Sequence, residues 1–577
     1  MKNVLAVLSI MASLTLAAST RDINLRIIHT TDVHGNFFPY DYINRTDGSG
    51  SLARVYSYIK EVRDSVGDEN VILLDAGDIL QGQPTVYYYN FIDTVSPHVA
   101  ARVYNYMGYD VVTIGNHDIE TGHAVYDRFR DELKMPVLGA NVIDSLNGRS
   151  YFEPYRIIEK GGVKIAVVGL LTPAVPAWLP ETLWSGLEFK AMEGCAAKMV
   201  EHLRQTERPD VIIGLFHSGN DASRRTGDFI ENASYNVARN VPGFDIILTG
   251  HDHTRFNRVT TSADGKPVVV MNPANNAEAV SDVSVSVTLR DGKVVDKKIS
   301  GRIVNVDALT PDEGFMAEFA MDCERVKTFV DRVVGRSDGE FSTHDSYFGP
   351  SAFIDLLNDL QLAITGADIS FAAPLAFDAV IKEGDIRMSD MFNLYKYENL
   401  LYTMELTGRE IKDYLEESYG IWTRQMSAGD EHILLFADEN PTVGNSRLKN
   451  AAYNFDAAAG IVYTVDVTRP HGEKINIVSM ADGTAFDMGK TYRVAVNSYR
   501  GNGGGDLLTR GAGIDREDLK KRVVRATDKD LRYYLMKEIE RSGVITPKVN
   551  GNWRFVPDDI VTPAIANDRK ILFSKDN

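Results

Sequence analysis

Cysteine is almost missing from this chain: two residues, Cys195 and Cys323, in 577. That excludes a disulfide scaffold and any zinc-finger array, and the two are read as buried free thiols. Long apolar runs are missing too. Past the N-terminus no stretch reaches the ~20 residues that span a bilayer, so no membrane span is expected. Positive charge is in deficit, 62 Lys and Arg against 80 Asp and Glu, for a net charge of −18. An acidic chain is poorly suited to nucleic-acid polymers or anionic membranes. A small anionic substrate remains possible if something local supplies positive charge. There is no internal repeat and no low-complexity tract. The remaining composition, 44% hydrophobic and 25% charged, is that of a globular protein. The length exceeds one ordinary core, so at least two domains are expected.

The first segment has the form of an address. Lys2 precedes an apolar stretch from Val4 to Ala18, closed by the small residues Ala17, Ala18 and Ser19. A basic start, a short apolar run and small residues describe a secretory signal peptide over residues 1–19. The protein is therefore expected to be exported, to a periplasm or the extracellular space.

Residues 20–308 alternate short apolar runs with helical spacing, the pattern of a layered α/β domain with buried strands. Pro311, Asp312 and Glu313 look like a helix start, and Met316, Phe319, Cys323, Val326, Val330 and Val333 continue at steps of three and four. One long linker helix within 309–340, ending near Gly335, is expected. A second α/β domain follows over 341–555, with a helix opened by the capping box Thr407-Gly408-Arg409-Glu410. Residues 556–577 read as a loosely held tail.

The chemistry sits in five of the twelve histidines. Each falls in a polar cluster directly after an apolar strand: Asp32-Val33-His34, Asn116-His117-Asp118, His217, and His251-Asp252-His253, with Asp75-Ala76-Gly77-Asp78 after a further strand. The carboxyl ends of strands in open α/β sheets are where ligands bind. In an extended segment alternate residues point the same way, so Asp32 with His34, and His251 with His253, are each expected to aim two ligands at one place. Asp32, His34, Asp78, Asn116, His217, His251 and His253 make seven nitrogen and oxygen donors with no thiolate. Seven is too many for one tetrahedral zinc and suits two divalent ions sharing a bridge, with Asp78 as the bridging carboxylate. Zn, Mn and Co all fit such donors. Two such ions lower the pKa of a bridging water, and they also provide the local positive charge the protein lacks. His29, inside its strand, is read as structural.

At these residues the chain resembles the calcineurin-like metallophosphoesterases, and within them the exported 5′-nucleotidase and 2′,3′-cyclic-nucleotide 2′-phosphodiesterase/3′-nucleotidase group. The resemblance implies one metal held by Asp32, His34, Asp78 and His253, and another by Asp78, Asn116, His217 and His251. It implies that His117 stabilises the transition state. In 5′-nucleotidases an aspartate three residues on often orients that histidine; here the position is Glu120, whose longer side chain must make the reach. In the second domain, Tyr395-Lys396-Tyr397-Glu398-Asn399 and the stretch Asn497 to Asp506 resemble the group's nucleotide-binding domain, in which two aromatic rings sandwich the base. The resemblance implies that Tyr397 and Tyr499 stack on the base, with Tyr395 competing for the first role. Asn399, Asn497 and Asp506 would hydrogen-bond base or ribose, and closure about the linker helix would complete the site. Thr31 to Asn36, Gly77 to Pro84 and Tyr453-Asn454-Phe455-Asp456 lean toward the cyclic-phosphodiesterase branch. The expected substrate is a nucleotide or related phosphoester. Nucleotide sugars, and a non-catalytic nucleotide-binding role, stay open as alternatives.

Overall fold

The computed structural model describes residues 20–574 except 224, 227, 228 and 445. The expected signal segment lies outside the described residues. No helix among them is long and apolar enough to cross a membrane.

The first domain is built on twelve principal strands: β1 (Thr20–Thr30), β2 (Val71–Asp75), β3 (Val111–Thr113), β4 (Val137–Leu138), β5 (Tyr155–Lys160), β6 (Val163–Leu171), β7 (Val211–His217), β8 (Ile246–Thr249), β9 (Phe256–Thr261), β10 (Pro267–Asn272), β11 (Ala279–Arg290) and β12 (Lys293–Asn305). They form two six-stranded sheets, ordered β12-β11-β1-β2-β3-β4 and β9-β10-β8-β7-β6-β5. Within each sheet the inner strands are parallel, β1 to β4 in the first and β6, β7, β8 and β10 in the second. The sheets meet face to face through Leu25, Ile27, Ile72 and Leu74 on one side and Ile165, Val167, Ile213 and Leu248 on the other, all buried. Parallel strands buried on both faces explain the unbroken apolar runs in the sequence. Helices Leu52–Val66 and Met192–Thr206 cover the outer faces. The expected layered domain therefore holds, but the five ligand-bearing strands do not lie side by side in one sheet. β1, β2 and β3 belong to one and β7 and β8 to the other, and their carboxyl ends converge because the sheets stack.

The expected long linker helix is two helices. Glu313–Glu318 and Ala320–Asp331 are separated at Phe319, which leaves helical backbone geometry at φ −103°, ψ 14°. The kink lets Phe315, Phe319, Val326 and Val330 all reach the core of the first domain. Val333–Ser337, read as the end of the helix, is a strand paired with Gly384–Arg387 and Val544–Ile545.

The second domain centres on a five-stranded sheet made of β13 (Ile369–Ala372), β14 (Leu400–Thr407), β15 (Ala457–Ala459), β16 (Thr491–Asn497) and β17 (Val523–Asp530), in the order β15-β13-β16-β14-β17. The Thr407 capping box forms as expected. Thr407 Oγ1 accepts from Glu410 N, and Glu410 Oε2 accepts from Thr407 N at 2.7 Å, opening helix Gly408–Trp422. The segment read as a loose tail is instead helix Asp558–Phe573. Val561, Ala564 and Ile571 are buried, and Asp568 accepts from the Ile433 and Leu434 backbone N–H groups. Its apolar residues are sparse, and Pro563 interrupts the helical pattern in the sequence. Cys195 and Cys323 are free and only half-buried, rather than fully buried as expected.

Candidate metal centre and adjoining cavity

The polar clusters come together as two adjacent groups of donors, Asp32, His34 and His253 in one and Asp78, His217 and His251 in the other. Asp32 and His34 share one group as expected, but extended backbone is not what aims these side chains. Asp32, His34, Asp78, His251 and His253 all have φ between 50° and 79°, in the left-handed region that L-residues seldom occupy. As a result His251 and His253 face different groups rather than one. Five unfavourable residues in one place need a surrounding that enforces them, and such strain is concentrated at functional sites. Here Asp118 supplies part of that surrounding. Its buried carboxylate accepts four backbone N–H groups, those of Asp78, Ile79, Leu80 and Gly115, at 2.8–3.0 Å. Asp32 likewise accepts the His251 N–H at 3.0 Å. Gly115 and Gly250 are needed for close approach, since a Cβ at either would collide with Asp78 or with Thr31 and Asp32.

The donor set fits divalent cations. His34 Nδ1 faces the Gln81 carbonyl at 2.8 Å and His217 Nδ1 faces the Ala76 carbonyl at 2.7 Å. Each ring therefore donates from Nδ1 and turns its Nε2 lone pair inward, the arrangement that orients metal-binding histidines. His34 Nε2 meets His253 Nε2 at 3.1 Å, and His253 Nε2 lies 3.2 Å from Asp32 Oδ1. His217 Nε2 lies 3.1 Å from both Asp78 Oδ2 and Asn116 Oδ1. His251 is fixed the other way round, with Nε2 on Glu231 Oε1 at 3.0 Å and Nδ1 on Asn116 Oδ1 at 2.8 Å. Ring nitrogens and carboxylate oxygens gathered this closely form two groups able to hold a cation each. The buried carboxylates draw positive charge into the site. Burial works against charge on His217, yet Asp78 and Asp32 push it up to about 10. Burial and the neighbouring His253 push His34 down to about 3. Asn116, at the start of helix Asn116–Glu120, bridges toward both His217 and His251.

His117 follows on the same short helix. Its Nδ1 is 2.5 Å from Glu120 Oε2, so the glutamate makes the reach that a shorter aspartate makes elsewhere in the resemblance. Burial opposes charge on His117, but Asp78 and Glu120 outweigh it and push the imidazole up to about 9.

A cavity of about 350 Å³ opens beside the donors and is lined by both domains. Asn116, His117, Glu120, His251 and His253 form one wall; Tyr397, Asn399, Tyr453, Asn497 and Tyr499 form the other. The Tyr397 ring lies parallel to His117, 6.5 Å away and tilted by 9°. Tyr453 stands at right angles between Tyr397 and Tyr499. Tyr395 is buried outside this lining. Asn497 lines the cavity while its Oδ1 caps helix Ser498–Gly501 by accepting Arg500 N. Asp506 is not part of the cavity lining, and its carboxylate lies 3.4 Å from Arg516 and 3.2 Å from Thr509. Arg510 and Arg516 on the following turns are its charged neighbours.

Sequence comparison supports the same architecture. The calcineurin-like phosphoesterase model matches residues 25–255, and that of the 5′-nucleotidase C-terminal domain matches residues 333–510. The 5′-nucleotidase of Vibrio cholerae is 31% identical over 74% of this chain and 80% of its own length. The chain belongs to the 5′-nucleotidase family of calcineurin-like phosphoesterases. It is thereby a phosphoester hydrolase of a family that uses a dinuclear divalent metal site, and the two donor groups are its candidate centre. The 2′,3′-cyclic-nucleotide 2′-phosphodiesterase/3′-nucleotidase of Haemophilus influenzae is 25% identical over 94% of the chain and 89% of its own length. The trifunctional nucleotide phosphoesterase protein YfkN of Bacillus subtilis is 26% identical over 93% of the chain, which spans 39% of that longer protein. A crystal structure named as a 5′-nucleotidase from Staphylococcus aureus superposes with a TM-score of 0.76 at 21% identity, covering 92% of this chain and 99% of that one. This last likeness concerns the fold.

Four residues of the site escape a reading of the sequence. Glu231 orients His251 from a short strand-poor segment with no motif around it. Trp178 lines the cavity beside His251, with ring centroids 5.6 Å apart, from a loop after β6. Tyr453 and Lys396 stand within quoted motifs but carry no signal that separates them from their neighbours. Only packing brings these residues to the cavity.

Proposed function

We propose that this protein is an exported dinuclear-metal phosphohydrolase acting on nucleotides, with 2′,3′-cyclic diesters and 3′-monophosphates as first substrates. The observation that carries it is the cavity itself, with the metal-donor residues Asn116, His251 and His253 on one wall and three tyrosines on the other. Asp32, His34, Asp78 and His253 would hold one ion, and Asp78, Asn116, His217 and His251 the second. When bound, the two ions supply a water of lowered pKa and neutralise charge on the phosphate. His117, held by Glu120 through Nδ1, keeps Nε2–H for the phosphoryl oxygens and stabilises charge that grows on them. Tyr397, Tyr453 and Tyr499 offer flat faces to a base, with Asn399 and Asn497 at hand for its polar edge. Because both domains already line one cavity, the substrate is oriented by one and cleaved against the other.

The preference for cyclic and 3′ substrates draws on relatives of that name that match nearly the whole chain. The 31% identity to a 5′-nucleotidase favours 5′-monophosphates as the second reading. Phosphate release from 2′,3′-cyclic AMP, 3′-AMP and 5′-AMP, before and after chelation, separates the two. Full activity on any of them after thorough metal removal would overturn the dinuclear account. Export is checked by N-terminal sequencing of secreted protein for loss of residues 1–19.

A further inference from the structure

Among the described residues that line the cavity, Lys396 alone is a lysine or arginine, and the mechanism above does not use it. The three carboxylates on the lining are engaged elsewhere. Glu120 holds His117, Glu231 holds His251, and Asp252 accepts the Asn220 N–H at 2.9 Å and the Asn272 amide at 2.8 Å. No carboxylate among the described residues pairs with the Lys396 ammonium. Its contact is the Tyr397 ring, with Nζ 5.6 Å from the centroid. Lys396 is exposed overall, so its ammonium stands at the open side of the cavity, where partial desolvation lowers its pKa from the ordinary lysine value. The backbone beneath it is rigid, because buried Arg532 donates to the carbonyls of Tyr395 at 2.8 Å and Lys396 at 2.7 Å.

An unpaired ammonium lining the cavity of a chain with net charge −18 is placed for an anion. The scissile phosphate already has the metal donors and His117. Tyr397 is the common neighbour of His117 and Lys396, so an anion at Lys396 lies beside the same ring as the reacting group. We infer that Lys396 receives a second, non-scissile phosphate, and that the cavity favours nucleotides carrying two phosphate groups over monophosphates. This rests on the nucleotide reading given above.

Adenosine 3′,5′-bisphosphate tests it whichever ester is cut, because one phosphate remains in either case. Wild-type protein with metal is compared with Lys396→Met and Lys396→Arg on this compound, 3′-AMP and 5′-AMP. The wild type should show kcat/KM about 10- to 100-fold higher for the bisphosphate than for the monophosphate cut at the same ester, the range of one charge-assisted hydrogen bond. Lys396→Met should abolish that preference and Lys396→Arg should keep it. Equal losses on all three compounds, or no bisphosphate preference in the wild type, would overturn the inference while leaving nucleotide hydrolysis intact. Absence of phosphate release from every nucleotide would instead overturn the proposed function, and this inference with it.

Discussion

Glu231→Gln tests the orientation of one metal ligand. The carboxylate is buried; Oε1 accepts from His251 Nε2 at 3.0 Å, which leaves His251 Nδ1 pointing at Asn116, and Oε2 accepts from Thr226 Oγ1. Glutamine keeps the size and can still accept through its oxygen, but the charge that makes His251 a stronger donor is gone. The peptide position is untouched, since the Glu231 carbonyl still accepts from Thr172 and Ser218. Losing an outer partner of a metal-binding histidine costs about 10- to 100-fold in metal affinity, or ~1.4–2.8 kcal/mol. Only one of the two ions should feel it, the one at Asp78, Asn116, His217 and His251. The assay is titration of chelated protein with Mn²⁺ or Zn²⁺, following phosphate release and metal content together. Half-saturation for one ion should rise by that factor, and excess metal should restore most of the rate. An unchanged metal titration, or a loss that excess metal does not repair, would show that Glu231 acts on the substrate rather than on His251.

Tyr499→Ala should weaken nucleotide binding by ~1–3 kcal/mol, the value of one base–aromatic stack, and raise KM accordingly. Hydrolysis of bis-p-nitrophenyl phosphate should change far less, and equal losses on both would make Tyr499 structural. Arg532, 0% exposed, holds Glu398 at 2.9 Å as well as two carbonyls, so Arg532→Met should cost about 3–5 kcal/mol in urea unfolding. The double variant with Glu398→Leu should recover part of that loss; additive losses would speak against the pair. His29 is buried, both ring nitrogens lack a partner, and burial holds it down at about 3. An unfolded histidine titrates near 6.5, so between these values the unfolded chain binds the extra proton and stability falls on acidification. His29→Leu should remove up to about 1.4 kcal/mol per pH unit of that slope. Parallel pH profiles of urea unfolding for both proteins would contradict it.

The sequence by itself determined the kinds of donor and their order along the chain. With two cysteines, any metal site had to use imidazole, carboxylate and amide, and strand-length apolar runs ending in Asp, Asn or His marked where those groups would lie. The capping box at Thr407 and the buried strands were equally legible, because both depend on neighbours within a few residues. The tertiary structure alone decided how the donors divide. Left-handed backbone at Asp32, His34, Asp78, His251 and His253 is enforced by distant groups such as Asp118, and no local pattern announces it. The same holds for the break at Phe319, which follows from a core that must receive both halves of the helix. It holds also for the docking of the last helix, and for Glu231, Trp178, Tyr453 and Lys396. These residues acquire their places because two domains close around one cavity, and contacts between remote segments leave no periodic trace in the chain.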